Sequence, residues 1–360
     1  MAEVSSRVLV TGASGYIATH VVQQLLQQGY MVRGTVRSKS NEKKVKPLMN
    51  LYPEAKHPLE LVEADLMKAD GWAEAVADCK YVLHIASPFP NAEPRDENEV
   101  IKPAVDGTLQ VLKAVKEAGC VKRVVLTSSV AAVSGGFQGG ENVFTEEDWT
   151  DEKTVKEAYV KSKTLAEKAA WDFVKELPED NKFELVTINP SYVMGPVLCG
   201  SFTTSMEVVK RLLDRDMPML PRINFAIVDV RDVAACHLAA ITVPEANGKR
   251  HIANAASLWF QDMAVILDKE FRSQGYNVPT SNCPYPLLWM IARFDKTLRM
   301  ILPSVGHITK IDNGRMQNVL GVKPRPVEQT LVDMAYSMIE NGTAKKTPQY
   351  SGPPKNNTNL

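Results

Sequence analysis

Tyr159 and Lys163, one helical turn apart, are the residues of this 360-residue chain best suited to moving a proton. At i, i+4 spacing they share a helix face. The ammonium can favour the phenolate and draw a pKa ordinarily near ~10 toward the working range. That pairing suits reduction of a carbonyl, where a hydride arrives from one side and the developing alkoxide needs a proton. Ser129, upstream in Thr127-Ser128-Ser129, supplies a hydroxyl to hold the carbonyl oxygen. The spacing alone is weak evidence, because Tyr52-Pro53-Glu54-Ala55-Lys56 repeats it. That copy lies in a proline-broken loop and reads as a decoy, whereas Tyr159 opens a long amphipathic helix.

The hydride must come from a cofactor, and the N-terminus offers a place for one. Val8 to Val10 read as a short strand ending in the turn Gly12-Ala13-Ser14-Gly15-Tyr16-Ile17. A helical pattern (Ile17, Val21, Val22, Leu25, Leu26) follows and stops at Gly29. Gly12 permits the sharp turn and Gly15 a close backbone approach, while the helix end presents N–H groups to a pyrophosphate. Ala18 stands where a third glycine would allow close helix–strand packing. The second strand, Tyr30 to Val36, ends in Arg37 rather than the carboxylate that binds a ribose 2′-OH. Ser38, Lys39, Lys43 and Lys44 follow it. A cation there pairs with a 2′-phosphate, so NADP is the expected dinucleotide.

Around these residues the chain alternates strand and helix. Strands are predicted over Leu59–Glu63, Tyr81–Ile85, Arg123–Leu126 and Phe183–Ile188, with helices over Val100–Ala118 and Lys156–Leu177. The pattern implies an α/β fold, a Rossmann-type doubly wound parallel sheet holding ligands beyond its carboxyl strand ends. Residues 1–189 form the expected nucleotide-binding domain. Residues 190–340 form a smaller, mostly helical substrate lobe that returns some strands to the main sheet, and 341–360 a disordered tail. Pro286 to Pro303 reads as one amphipathic helix, too broken by charge to span a membrane.

Lys plus Arg equals Asp plus Glu at 42 each, so no global field draws nucleic acid or an acidic membrane. Five scattered cysteines without a Cys-x-x-Cys pair argue for a reducing compartment and against a structural metal. The opening residues carry no apolar signal segment, from which a cytoplasmic protein is expected. His84, inside a strand, reads as a packed histidine, and Asp229 and Asp232 as caps of a helix over Val233–Ile241. Phe89, Trp259, Trp289 and Met290 fit an apolar substrate pocket and ordinary packing equally well.

Together, Thr11-Gly12-x-x-Gly15-Tyr16-Ile17, Asp65-Leu66, Thr127-Ser128-Ser129, Tyr159-x-x-x-Lys163, Asn189-Pro190-Ser191-Tyr192-Val193 and Val228-Asp229-Val230-Arg231-Asp232 resemble the extended short-chain dehydrogenase/reductases. The resemblance runs over roughly residues 6 to 340. Val32 to Arg37 and Asn98 to Thr108 are most similar to its dihydroflavonol-4-reductase-like branch, with cinnamoyl-CoA, anthocyanidin-type and NADP-dependent aldehyde or ketone reductases. The resemblance implies that Arg37 and Lys44 hold the 2′-phosphate and that Asp65 and Leu66 line the adenine pocket. Ile85, Ala86, Ser87 and Thr127 would back the ribose and nicotinamide. Pro190, Val193 and Ser205 would close over the nicotinamide end, and Ser129 rather than Ser128 would be the catalytic hydroxyl. Two positions depart from the pattern. Ser134 stands where flavonoid reductases carry an asparagine for the substrate ring. Ala104 stands where many relatives recruit an asparagine for proton relay.

The expected activity is NADPH-dependent reduction of an aldehyde or ketone with an apolar or aromatic body, by a monomer or homodimer. Alternatives are a hydroxysteroid dehydrogenase or sugar-nucleotide epimerase on the same fold, or an NADP-sensing regulatory protein without catalysis. The intact Ser129, Tyr159 and Lys163 disfavour the sensor.

Overall fold

The computed structural model describes residues 6–87, 96–137, 142–199 and 202–354. The first half runs β1 (Arg7–Val10), α1 (Tyr16–Gln27), β2 (Met31–Val36), α2 (Glu42–Met49), β3 (Glu60–Glu63), α3 (Trp72–Val76) and β4 (Tyr81–His84). It continues through α4 (Asn98–Ala118), β5 (Arg123–Thr127), α5 (Ala131–Ser134), β6 (Val143–Phe144), α6 (Ala158–Lys175) and β7 (Glu184–Pro190). The second half holds β8 (Tyr192–Met194), α7 (Thr204–Leu213), β9 (Asn224–Asp229), α8 (Val230–Thr242), β10 (Arg250–Ala253), β11 (Ala256–Trp259) and α9 (Phe260–Phe271). α10 (Tyr285–Ala292), α11 (Lys296–Ile301), β12 (Lys310–Ile311), α12 (Gly314–Asn318) and α13 (Val327–Glu340) complete it.

The main sheet has seven parallel strands in the order β10-β7-β5-β4-β1-β2-β3. Its strands are apolar on both faces because helices cover both. In β1, Val8 and Val10 join the cluster packed by α1 and α8, whereas Leu9 faces the opposite cluster with Trp72 of α3 and Val111 and Leu112 of α4. Each is fully buried, contributing ~1.5–3 kcal/mol by transfer from water. α1 presents Ala18, Val21, Val22 and Leu25 to its cluster at helical spacing, and Gly29, at φ +81°, follows its end. β10, from the second half of the chain, pairs with β7 in the main sheet, and α8 packs beside α1.

The rest of the second half combines helices with short strands. β11, β9 and β8 form a small mixed sheet, and β12 pairs with β6. Its core is built by α7, α9 and α13, with Phe271 packed against Tyr336 at 4.7 Å. Ion pairs tie α13 and the segment before it to α8. Arg231 bridges Asp229 (2.7 Å) and Asp333 (2.8 Å), and Asp232 accepts the Arg325 N–H (2.7 Å) and its guanidinium. Asp229 is the expected helix cap, accepting from Arg231 N at 2.8 Å, but Asp232 serves this tie instead.

Two other expectations change. The stretch Pro286–Pro303 is two helices, because the chain breaks after Ala292 and Asp295 starts α11 by accepting from Leu298 N at 3.0 Å. The 341–360 tail is placed as far as residue 354. Thr347 donates to Gln274 O, Ser351 N donates to Gln274 Oε1 (3.3 Å), and Tyr350 packs on the α13 core. Phe89 lies outside the described residues. No helix among the described residues is long and apolar enough to cross a membrane.

Candidate active site

The glycine turn sits where β1 meets α1. Gly12 has φ +63°, and a Cβ there would lie 3.0 Å from Ala86 Cβ, so the turn reaches the end of β4 only as glycine. Thr35 holds it: Gly12 N donates to Thr35 Oγ1 and Ala13 N to Thr35 O, both at 2.9 Å. Gly34 of β2 is equally constrained, since its added Cβ would fall 2.6 Å from Ala13 Cβ. Thr11 Oγ1 accepts from Ile85 N (3.0 Å) and Ala86 N (2.9 Å) and pairs with His84 Nδ1, fixing the ends of β1 and β4. α1 begins after Gly15 with no side-chain cap, which leaves the positive end of its dipole to an anion. A cradle that a single Cβ would fill, at an uncapped helix start, fits a dinucleotide pyrophosphate.

The other expected contacts lie around this turn. Arg37 stands exposed where β2 ends, Lys44 lies on α2, and Glu63 anchors the intervening loop by accepting Lys39 N at 2.5 Å. Asp65 folds its own turn through Met67 N (3.0 Å), and Leu66 packs against Gly107, 3.1 Å from where a Cβ would be. Ala86, Ser87, Thr127 and Lys163 line one cavity, although the Thr127 hydroxyl points away to His237 Nε2 at 2.7 Å. Tyr16 gives its hydroxyl to Gly195 O (2.7 Å), and His20 Nε2 meets Pro196 O (2.8 Å). The Tyr16 side chain thus pins the loop after β8. Pro190 ends β7 and accepts Val130 N (3.0 Å), Val193 lies in β8, and Ser205 is buried in the first turn of α7.

Ser129 and Tyr159 meet: the serine hydroxyl hydrogen-bonds the phenol. Ser128 lines the cavity beside Lys163, but its hydroxyl is committed to Glu167 Oε2 at 2.5 Å. Tyr159 keeps 38% of its surface open, yet burial of its hydroxyl end raises the phenol's pKa, opposed by the Ser129 bond. The expected lowering by Lys163 is absent. Lys163 is itself desolvated, its pKa pushed down to about 8 against the pull of Glu167. Burial therefore outweighs the attraction between these neighbours. His84 is the expected packed histidine, buried and pushed down to about 3 by burial and then by Lys163.

Several supporting residues were not singled out from the sequence. A Cβ on Gly135 would lie 2.2 Å from Val160 Cγ1, so α5 approaches α6 beside Tyr159 only with glycine there. Thr150 Oγ1 clamps that turn, accepting Gly135 N and donating to Ala131 O, both at 2.7 Å. Tyr192 stands electrostatically close to Tyr159, and Phe225 packs on it at 5.2 Å, giving the crevice an aromatic wall. Close backbone approach and a bond between distant turns leave no local pattern in sequence. Trp289 and Met290 line a separate open recess with Tyr285 and Pro286, while Trp259 stacks under Arg222 at 4.8 Å.

Residues 8–256 match the model of the NAD dependent epimerase/dehydratase family. The chain belongs to this family. Among curated relatives it is 42% identical over 247 residues to cinnamoyl-CoA reductase CAD2 of Medicago truncatula, covering 67% of this chain and 74% of that protein. It is 33% identical to tetraketide alpha-pyrone reductase 1 of Arabidopsis thaliana, covering 95% and 98%. Among solved structures, yeast methylglyoxal/isovaleraldehyde reductase Gre2 complexed with NADPH superposes with a TM-score of 0.76 at 33% identity, over 94% of this chain and 99% of that one. The family, its doubly wound sheet and the motifs quoted from the sequence agree.

Proposed function

We propose that this chain reduces an aldehyde or ketone, with an apolar or aromatic body, using NADPH. The observation that carries the reading is Ser129 bonded to Tyr159 beside Lys163, at the strand ends where the Gly12 turn also opens. NADPH, when bound, supplies the hydride. Gly12, Gly15 and the start of α1 would receive its pyrophosphate, and Arg37 with Lys44 would receive the 2′-phosphate that distinguishes it from NADH.

Ser129 donates to the carbonyl oxygen and holds it against the phenol. Tyr159 then gives its proton to that oxygen. A phenol whose pKa burial has raised keeps this proton at neutral pH, which suits the reductive direction. Lys163, lining the cavity with Ala86 and Ser87, would bond the cofactor ribose. The Tyr192–Phe225 wall excludes water and favours a flat apolar substrate body. The names of the relatives support carbonyl substrates, while a sugar-nucleotide substrate would need cationic grips that this aromatic wall does not provide.

Purified protein assayed for NADPH and NADH oxidation against aromatic, aliphatic and steroidal carbonyls and sugar nucleotides tests the reading. Turnover confined to NADPH with an apolar carbonyl is expected. Absence of turnover with every carbonyl, or a preference for a sugar nucleotide, would reject it.

A further inference from the structure

Glu167 lies wholly buried on α6, one turn beyond Lys163. Its carboxylate accepts from Ser128 Oγ (2.5 Å), Asn189 Nδ2 (2.8 Å), Thr187 Oγ1 (3.1 Å), Trp171 Nε1 (3.3 Å) and Arg250 Nε (2.7 Å). These partners come from the end of β5, which leads into Ser129, from β7 and β10, and from α6, which carries Tyr159 and Lys163. Arg250, also buried, reaches Ala132 O (3.2 Å), Glu146 O (3.1 Å) and Asp148 O (2.5 Å) and stacks on Trp149 at 3.8 Å. A buried carboxylate of this kind is stable only with its charge matched and its lone pairs filled. Here two cations share it, Arg250 by direct contact and Lys163 across a cavity of about 10 Å³ that Lys163 and Glu167 both line.

We infer that Glu167 is a positioning residue for the reaction, a shared counter-ion between Lys163 and Arg250 that holds the Lys163 ammonium in place beneath Tyr159. The inference rests on the roles given above to Lys163 and Tyr159. The groups facing Lys163 are Glu167 from α6, His84 from β4, Thr108 from α4, Ala86 and Ser87 after β4, and Thr127 and Ser128 at the end of β5. His84 stays neutral near pH 7, since burial lowers its pKa to about 3. Glu167 is therefore the anion that offsets the desolvation of Lys163. Its oxygens are taken up by Ser128, Asn189, Thr187, Trp171 and Arg250, so its role is to hold charge and not to transfer the proton.

Two charge-altering variants, Glu167→Gln and Arg250→Gln, give opposite predictions. Removing the anion makes the ammonium easier to lose, so Glu167→Gln moves the alkaline limb of NADPH affinity and of kcat/KM to lower pH. Removing the competing cation leaves Glu167 to Lys163, so Arg250→Gln moves both limbs to higher pH. Each displacement is about half a pH unit or more, read as a roughly threefold change in the pH 9 to pH 7 ratio of NADPH affinity. A merely structural role weakens both variants at every pH without moving the limbs, and that result overturns the inference. Should Glu167→Gln fail to fold, the upward shift in Arg250→Gln decides alone. The pH dependence of Lys163 acylation by acetic anhydride, followed by mass spectrometry, reads the same displacement without cofactor. Wild-type protein that does not bind NADPH refutes the functional reading. Wild-type protein that turns over while neither the limbs nor the acylation profile shifts refutes this inference alone.

Discussion

Replacing Gly12 with alanine separates two effects that the structure places at one residue. Gly12 has φ +63°, and so does Gly119 at the end of α4. An alanine at either position enters the left-handed region and costs about 1–2 kcal/mol. At Gly119 nothing lies within 4 Å of the added Cβ, so that is the whole penalty. At Gly12 the Cβ also meets Ala86 Cβ at 3.0 Å and Ala86 Cα at 3.3 Å, and the turn must move to relieve it. Ala86 and Ile85 are held to Thr11 by two hydrogen bonds, so the strand end yields little. We expect Gly119→Ala to lower the melting temperature by about 1–3 °C and leave NADPH affinity unchanged. Gly12→Ala should lower it further and weaken NADPH by roughly tenfold or more, equivalent to ~1.4 kcal/mol. Thermal unfolding and fluorescence titration of NADPH measure both. Equal effects of the two variants on stability, with NADPH binding intact in Gly12→Ala, would refute the close-approach argument.

Arg37→Asp should abolish or reverse the preference for NADPH over NADH, because a like charge then faces the 2′-phosphate; the ratio of kcat/KM values with the two cofactors reads it. His20, His237 and His251 are buried and pushed down to about 4 by burial, and His84 to about 3. Their folded pKa values lie below the unfolded value of ~6.5, so the unfolded chain binds more protons. Stability should be full above pH 6.5 and fall as pH drops toward 4, each histidine contributing a slope of up to ~1.4 kcal/mol per pH unit; urea unfolding free energies that are flat from pH 7 to 5 would contradict this. The Ser134 hydroxyl donates back to Val130 O (3.4 Å) and offers no amide for a hydroxylated ring. Dihydroflavonols should therefore turn over more slowly than simpler carbonyls in a substrate panel.

Elements with a local signature were legible in the sequence. The apolar run Val8–Val10, the helix stop at Gly29 and the hydroxyl-ended strand at Thr127 each announce themselves in a few residues, and the alternation between them implies the parallel sheet. The Tyr159–Lys163 pair and the Arg37 strand end were legible because their chemistry depends on type and spacing. What sequence could not show is long-range. Gly34 against Ala13, Gly135 against Val160, and the Glu167–Arg250 pair join positions far apart in the chain. The split of α10 from α11 turned on Asp295, a charge that reads equally as helix surface or as a cap. The lowered tyrosine pKa failed because spacing reports the neighbouring cation but not the burial that acts on both groups.

The most direct test of the account is single-turnover NADPH oxidation by Tyr159→Phe with the best carbonyl substrate. The substitution removes the hydroxyl bonded to Ser129 and leaves the ring, the helix and the cofactor turn in place. The account predicts NADPH affinity close to that of the wild type and a hydride-transfer rate lower by roughly 10²-fold or more. Tyr52→Phe, the sequence decoy, should change neither. A Tyr159→Phe enzyme that reduces its carbonyl at a near-normal rate would show that another group supplies the proton, and the central claim would fall.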